Sequence, residues 1–201
     1  MKSSLIFTVN GIKIKMGNAL LNLVKKKGKD EMTNIPKSFW ELECNDIQGN
    51  QVKFEELKGK KLYLLVNVAS ACGLTDKNYK QLKKFHDEYE GRGLHIIGFP
   101  CNQFREQENQ CDADIEQTIR TKFKIKFQMM SKIEVNGQNC HPIYKYLRAN
   151  SPLWDAKTKK AKEIPWNFTK FLVDSSGKVV KYYPPEIPPN DFKAEVEGYL
   201  N

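Results

Sequence analysis

Two strongly apolar segments separated by a helical one constrain this fold most. Residues 61–69 (KLYLLVNVA) are almost continuously apolar, which is typical of a strand buried on both faces of a sheet. Residues 94–99 (LHIIGF) have the same character. Between them, Thr75 and Asp76 are expected to cap a helix whose large apolar side chains recur at helical spacing. These side chains are Tyr79, Leu82, Phe85 and Tyr89. Such a unit predicts two parallel strands joined by a right-handed crossover.

The segments on either side of this unit complete the predicted sheet. Residues 39–44 and 51–54 flank the turn Ile47-Gln48-Gly49-Asn50, which predicts an N-terminal β-hairpin. Further patterns predict a helix at 112–123, a strand at 127–135, a helix at 142–147, a hairpin from 168–174 and 178–183, and a helix at 190–200. This order favours an α/β domain with a mixed central sheet of four to five strands flanked by helices.

The chain divides into a basic extension and one domain. Residues 1–33 hold seven lysines and only two acidic residues. For the extension 1–34 two interpretations stay open, a segment targeting a mitochondrion or plastid-type organelle and a disordered tail. Residues 35–201 are predicted to form a single domain, and we expect a cytoplasmic protein unless the extension directs it elsewhere. No apolar stretch approaches the roughly 20 residues that a transmembrane helix needs.

The net charge of +9 and the five cysteines restrict the function classes. The lysines of the domain are spread along the chain without the aromatic-rich basic motif of RNA-binding domains, so no nucleic-acid partner is predicted. A non-enzymatic module binding nucleic acid is kept as an alternative. The odd number of cysteines and the lack of a C-x-x-C pair argue against a full disulfide framework, a zinc ribbon and a dithiol site. We therefore predict individual thiols in a reducing compartment, with no metal and no cofactor.

Cys72 is the strongest candidate for chemistry because of its position. It follows the first buried strand and precedes the helix, and functional sites of open α/β sheets lie at the carboxyl ends of strands. The unpaired N–H groups and partial positive charge of a helix N-terminus stabilise a thiolate, which is the nucleophilic form of cysteine. A buried structural cysteine is the alternative.

Two polar segments are expected near this cysteine. Residues 100–107 (PCNQFREQ) follow the second parallel strand and so lie at the same sheet edge. Trp166 and Asn167 directly precede the strand that begins at Phe168. Glutamine, asparagine and the indole N–H are uncharged donors that can favour a thiolate and stabilise the charge that develops as a peroxide O–O bond breaks.

Three segments resemble the signatures of the glutathione peroxidase family, in the family's order. They are residues 66–75 (VNVASACGLT), residues 99–104 (FPCNQF) continuing to Gln107 and Glu108, and residues 166–171 (WNFTKF). The resemblance runs from about residue 35 to the C-terminus and implies a thioredoxin fold. It places Cys72 at the position of the peroxidatic cysteine or selenocysteine. Gln107, Trp166 and Asn167 take the other three positions of the family's catalytic tetrad.

The resemblance also implies a reaction and its partners. The Cys72 thiolate would attack a hydroperoxide, and the resulting sulfenic acid would condense with a thiol and be recycled by a reductant. A cysteine at this position resembles the non-selenium members, most of which prefer thioredoxin over glutathione. The short segment between Leu147 and Trp166 is similar to the monomeric branch. That branch reduces hydrogen peroxide and also lipid hydroperoxides, by transient contact with membranes, and serves antioxidant defence.

The sequence departs from the family pattern at the resolving cysteine. The family position in helix 112–123 holds Arg120, and the nearest replacement is Cys111 at the start of that helix. Cys101 and Cys140 are weaker candidates, and Cys44 is expected to be structural. A one-cysteine enzyme that depends on an external thiol is the remaining alternative.

Residues in two of these three segments leave questions about loop shape and about function. Arg105 and Asn109 stand where the family has glycine and proline, which puts the shape of that loop in question. Residues 72–75 (CGLT) also look like the C-G-x-S/T site of monothiol glutaredoxins, which carry iron–sulfur clusters. A glutaredoxin-like protein is therefore the alternative function, although it leaves the other two segments unexplained.

Overall fold

The computed structural model describes residues 6–9, 12–15 and 32–201, which form eleven strands and four α-helices. The strands are β1 (Ile6–Val9), β2 (Ile12–Lys15), β3 (Glu43–Asn45), β4 (Gln51–Lys53), β5 (Leu62–Val68), β6 (Leu94–Pro100), β7 (Gln128–Met129), β8 (Trp154–Asp155), β9 (Lys160–Ala161), β10 (Lys170–Asp174) and β11 (Val179–Tyr183). The helices are α1 (Thr75–Tyr89), α2 (Asp112–Thr121), α3 (Pro142–Ala149) and α4 (Lys193–Leu200). Short 3-10 turns occupy Phe39–Glu41, Phe54–Leu57, Glu90–Arg92 and Pro189–Phe192.

The central sheet has five strands in the order β11-β10-β5-β6-β7. The strands β5, β6 and β7 run parallel, whereas β10 is antiparallel to both β5 and β11. The predicted strand–helix–strand crossover is present as β5-α1-β6. The sheet is therefore mixed and five-stranded, within the range that the sequence predicts.

The residues of β5 alternate between two hydrophobic layers, and every one of them is buried. Leu64 and Val66 pack in the layer that contains residues of α1, α2 and α4. Tyr63 and Leu65 pack in the opposite layer, with residues of α3 and the N-terminal hairpin. A strand covered on both faces needs apolar side chains at nearly every position, which explains the continuous run. Asn67 is the polar exception.

The N-terminal hairpin is confirmed as β3 and β4, with a shorter first strand than predicted. Residues 39–41 form a 3-10 turn instead, because the Ser38 hydroxyl accepts a hydrogen bond from the Trp40 amide at 3.2 Å and caps the turn. Towards the C-terminus, the predicted helix at 190–200 begins as a 3-10 turn and becomes regular only in α4.

The prediction of a strand at residues 127–135 is wrong for most of its length, because the observed strand covers only Gln128–Met129. Only Gln128 and Met129 form a regular ladder with β6, although the Met130 and Ile133 amides still donate to carbonyls of that strand. Beyond them the backbone turns towards the N-terminal hairpin, where Met130 forms a bridge with Asp46 and the Ser131 amide donates to the Asn45 carbonyl. The segment after β7 therefore ties the hairpin to the sheet.

Most of the predicted extension, residues 1–34, lies outside the described residues, and so do the targeting and disorder interpretations. Within it, β1 and β2 pair antiparallel, with Ile6 opposite Lys15. In the ranges that the structure describes, no helix is both long and apolar enough to cross a bilayer.

Candidate active site

Cys72 lies in the loop that joins the carboxyl end of β5 to α1, with only 9% of its surface exposed. Thr75 holds this loop, since its Oγ1 accepts a hydrogen bond from the Cys72 amide at 3.1 Å and donates to the Ala69 carbonyl at 2.6 Å. The expected cap at Thr75 and Asp76 is thus wrong in detail. Thr75 is the first residue of α1, and its hydroxyl points back into the loop.

The Cys72 sulfur faces the start of α1. The amide of Leu74, the residue before the helix, donates to Sγ at 3.5 Å. The Thr75 amide donates to the Cys72 carbonyl at 3.0 Å and closes a turn around the cysteine. The start of α1 therefore supplies a backbone N–H donor to the Cys72 sulfur.

Gln107 belongs to the loop after β6, the strand next to β5. Its carbonyl accepts a hydrogen bond from the Ala71 amide at 3.1 Å, which joins this loop to the one that carries Cys72. Arg105 and Glu106 both adopt left-handed backbone conformations, with φ of 54° and 53°. Arginine therefore takes, at position 105, a conformation that glycine adopts without strain, and the loop closes despite the departure from the family pattern.

Trp166 and Asn167 reach the same site because β10 is antiparallel to β5. The start of β10 pairs with the end of β5, with Lys170 opposite Val66. Asn167 is fully buried, and its Nδ2 donates to Gln107 Oε1 at 3.0 Å. The structure therefore brings the Cys72 loop, Gln107 and Asn167 together through direct hydrogen bonds.

Trp166 forms the half-buried rim of this site. Its ring packs against Phe104 with centroids 5.5 Å apart, and the guanidinium of Arg105 lies 5.5 Å from the ring centroid on its face. An apolar pair covered by a cation gives the rim both hydrophobic and positive character.

Cys111 is exposed at the N-terminal end of α2 and is not joined to Cys72. Its thiol donates to Asp114 Oδ2 at 3.1 Å, and its carbonyl accepts from the Ile115 amide at 3.0 Å. Arg120, at the position where the resemblance led us to expect a resolving cysteine, donates to the carbonyls of Ile125 and Phe127 at 2.8 and 3.2 Å. Arg120 therefore has a structural role, fastening the segment that follows α2.

The other three cysteines, Cys44, Cys101 and Cys140, are buried. Burial raises the pKa of Cys44 and of Cys101 to about 11, so both are protonated near neutral pH and are poor nucleophiles. Cys140 donates through its sulfur to the Val135 carbonyl at 3.1 Å. Among the cysteines other than Cys72, Cys111 is the exposed one.

Glu108 is a site residue to which the sequence analysis assigned no role. Its side chain is buried, and its Oε2 accepts a hydrogen bond from the Ser70 hydroxyl at 3.0 Å, two residues before Cys72. Burial raises the pKa of this carboxyl to about 7. Lys132 holds the same loop by donating through Nζ to the Glu108 carbonyl at 3.0 Å. The acidic residue beside Gln107 was visible in the sequence, but its partner was not.

Among the described residues, no cluster of three or more histidine, cysteine or acidic side chains could hold a metal ion. The residues brought together instead include one thiol at a helix N-terminus and the neutral amide side chains of Gln107 and Asn167, with the Trp166 ring at the rim. Such a set can stabilise a thiolate and the charge that develops on a leaving oxygen.

Comparison with known proteins agrees with this chemistry. The family named "Glutathione peroxidase" matches residues 39–148. "Probable glutathione peroxidase 2" of Arabidopsis thaliana is 46% identical over 167 residues, which cover 82% of this chain and 94% of the relative. "Probable phospholipid hydroperoxide glutathione peroxidase" of Mesembryanthemum crystallinum is 42% identical over 172 residues, 85% of this chain and 96% of that protein. The solved structure of T. cruzi GPX1 is 34% identical, covers 82% of this chain and 97% of its own, and superposes with a TM-score of 0.62.

Proposed function

We propose, given that the chain belongs to the glutathione peroxidase family, that Cys72 is the thiol with which it reduces hydroperoxides. The protein is a peroxidase with a thioredoxin fold, and its relatives are thiol peroxidases of the same family. The family match favours this activity over the glutaredoxin-like and nucleic-acid-binding alternatives.

The hydrogen bond from Asn167 to Gln107 carries the assignment of the site. Since Gln107 Oε1 accepts from Asn167 Nδ2, the NH₂ group of Gln107 is left to donate to another partner. The Gln107 loop is tied to the Cys72 loop through the Ala71 amide, so this donor belongs to the same site as the thiol. These contacts support the proposal that Gln107, Trp166 and Asn167 act as neutral donors with Cys72.

The proposed first step is nucleophilic attack by the Cys72 thiolate on the distal oxygen of the hydroperoxide. A sulfur–oxygen bond forms as the O–O bond breaks, and the leaving oxygen takes a proton and departs as water or an alcohol. Cys72 is oxidised to a sulfenic acid, and the peroxide is reduced. The donors act on the charge of the departing oxygen, where a single well-placed hydrogen bond is worth about 3 kcal/mol.

The second step regenerates the thiol through a disulfide. A second thiol condenses with the sulfenic acid and releases water, and a dithiol reductant then reduces the disulfide by exchange. We assign the second thiol to Cys111, because it is the exposed cysteine and lies in the segment that follows the Gln107 loop. We expect the first turn of α2, which the hydrogen bond from the Ile115 amide to the Cys111 carbonyl closes, to open for this step, since a disulfide requires Cα atoms within roughly 7 Å.

The reductant is proposed to be thioredoxin, with glutathione as the alternative, and the substrate range to include lipid hydroperoxides. The half-buried rim of Trp166 and Phe104 supports an apolar substrate, and a relative carries phospholipid hydroperoxide in its name. A monomer is supported by the short connection between α3 and Trp166, in which β8 and β9 form a small hairpin.

The test is peroxide-dependent NADPH consumption, coupled through thioredoxin and its reductase or through glutathione and its reductase. Wild type is compared with Cys72→Ser, Cys111→Ser and, as a control, Cys44→Ala. Cys72→Ser is expected to abolish turnover in both systems, and Cys44→Ala to change it less than twofold. Substantial turnover in Cys72→Ser would overturn the assignment of the nucleophile.

The same assay separates the two recycling routes. Loss of thioredoxin-dependent turnover in Cys111→Ser, together with a Cys72–Cys111 disulfide found by peptide mapping after one equivalent of peroxide, establishes a two-cysteine enzyme. Glutathione-dependent turnover that is unchanged in Cys111→Ser would instead identify a one-cysteine enzyme and refute the role of Cys111.

A further inference from the structure

Asn67 is a fully buried polar side chain within β5, the most apolar strand of the sheet. By strand alternation its side chain lies in the layer of Tyr63 and Leu65. Burying an amide without partners is costly, so the partners of Asn67 explain why it is tolerated there.

All of these partners lie in one turn, residues 166–169. Asn67 Nδ2 donates to the Trp166 carbonyl at 3.0 Å, and its Oδ1 accepts from the Thr169 amide at 3.1 Å. Its main-chain carbonyl accepts from the Phe168 amide at 2.6 Å. One residue of β5 therefore holds both ends and the middle of the turn that carries Trp166 and Asn167.

The turn is one that the chain would not adopt by itself. Phe168 has a left-handed backbone with φ of 64°, which is rare and strained for a bulky residue. Its ring is buried and packs edge-on against Tyr79, with centroids 5.6 Å apart. Strain of this kind persists only where the surroundings fix the backbone, and Asn67 supplies three of the fixing hydrogen bonds.

The orientation of the Asn167 side chain depends on this turn. Asn167 reaches Gln107 from the residue between Trp166 and Phe168, so a change of φ at Phe168 or loss of the Trp166 carbonyl contact redirects it. We propose that Asn67 is a positioning residue of the peroxidase reaction, which locks the turn 166–169 so that Trp166 and Asn167 are placed at the site of Cys72. This inference rests on the proposed function of Cys72.

The role requires an amide, because the turn offers an acceptor at Trp166 and a donor at Thr169. Aspartate keeps the acceptor for Thr169 but sets a second oxygen against the Trp166 carbonyl. Leucine has similar volume and can satisfy neither group. Both replacements are therefore expected to release the turn, the aspartate with the smaller change of shape.

The experiment compares Asn67→Asp and Asn67→Leu with wild type and with Tyr146→Phe. The control loses one buried hydrogen bond, from the Tyr146 hydroxyl to the Gly177 carbonyl at 2.8 Å, at the opposite end of β10. Two rates are measured on the reduced proteins well below their unfolding temperatures. They are the second-order rate constant with hydrogen peroxide and the rate of Cys72 alkylation by iodoacetamide.

Both Asn67 variants are expected to lose at least tenfold in the peroxide rate constant while the alkylation rate changes less than threefold. Tyr146→Phe is expected to lower the unfolding temperature but to keep the peroxide rate constant within twofold. A folded Asn67 variant with a wild-type peroxide rate constant would overturn the inference. So would an equal loss of peroxide and alkylation rates, which would mean that the whole Cys72 loop had collapsed.

If neither variant folds, amide hydrogen exchange of the wild-type protein tests whether the turn 166–169 is held as firmly as β5. The amides of Phe168 and Thr169 are expected to be as protected as those of β5, since both donate to Asn67. Exchange at least 100-fold faster than in β5 would show that the turn opens independently and refute the inference. Activity retained by Cys72→Ser would refute the proposed function instead, so the two failures are distinguishable.

Discussion

The Asn167 side chain donates to the Gln107 side chain across 3.0 Å and 60 residues of sequence. This contact joins the loop after β6 to the turn before β10. It also sets the orientation of the Gln107 amide, whose oxygen is occupied and whose NH₂ is left as a donor. In the proposed reaction this donor is therefore oriented before the hydroperoxide arrives, which is the condition under which hydrogen bonds accelerate a reaction most.

Replacing Gln107 with glutamate tests this orientation. The carboxylate keeps an acceptor for Asn167 but substitutes a negative charge for the donor near Cys72. We expect the rate constant for hydrogen peroxide to fall by about 100-fold, the usual cost of losing one such donor. Stopped-flow measurement of Cys72 oxidation checks this, with the exposed Gln110→Glu as a control of equal charge that should stay within twofold. Equal rates in the two variants would show that Gln107 does not act on the reaction.

Thr75 is expected to hold the Cys72 loop against local opening. Thr75→Val keeps the shape but leaves the Cys72 amide and the Ala69 carbonyl without their partner. The free energy of unfolding should fall by roughly 2 kcal/mol, and Cys72 should react faster with iodoacetamide. Thr75→Ser retains the hydroxyl and should stay within about 1 kcal/mol of wild type in denaturant titrations. A serine variant as unstable as the valine variant would point to packing rather than hydrogen bonding.

Glu108 is expected to make stability fall as the pH rises. Burial raises its pKa from the usual 4.5 to about 7 in the folded protein. The hydrogen bonds from Ser70 and the charge of Lys132 lower this pKa, whereas the charge of Asp112 raises it further. Between these values the unfolded chain carries more of the ionised carboxyl, so unfolding becomes easier until the pH passes 7. Relative to wild type, Glu108→Gln should gain up to roughly 3 kcal/mol between about pH 5 and about pH 8. Parallel stability curves for the two proteins would contradict this.

Lys170 is expected to have the opposite effect at higher pH. Burial lowers its pKa from 10.5 to about 7, with Glu186 and Asp191 opposing the shift and Lys77 adding to it. A neutral amine keeps two N–H groups, which match the carbonyls of Pro185 and Ile187 at 3.1 and 2.7 Å.

Since the unfolded chain binds a proton at Lys170 up to pH 10.5, stability should rise with pH above about 7. Lys170→Met should lack this rise. Urea titrations at about pH 7 and about pH 9.5 measure the free energy of unfolding, which should increase by up to roughly 3 kcal/mol more in wild type than in the variant. A rise of equal size in the methionine variant would assign it to another group.

The sheet was predictable where its signals are local. The buried strands β5 and β6 and the hairpin β10–β11 lie where apolar runs and turn residues predict them. The strand expected at 127–135 fails because strand pairing depends on a partner as well as on composition. After Met129 only single hydrogen bonds to β6 remain, from the Met130 and Ile133 amides, while Met130 and Ser131 also pair with the N-terminal hairpin.

The site was predictable only in part from the residues themselves. Parallel strands explain why the loops after β5 and β6 meet, so Cys72 and Gln107 could be expected at one edge. The insertion of β10 between β5 and β11 has no local signal, and Trp166 and Asn167 were therefore assigned by resemblance. Asn67 appeared simply as a polar residue in an apolar run, since its partner lies 99 residues further on.

That distance has a consequence for the newly made protein. Ribosomes add about 5–20 residues each second, so the segment around Asn67 emerges on the order of 5 to 20 s before the turn that it clamps. During that interval Cys72 lacks the two side chains that are proposed to act with it. We therefore expect peroxide reduction only from chains in which β10 has been made and has paired with β5.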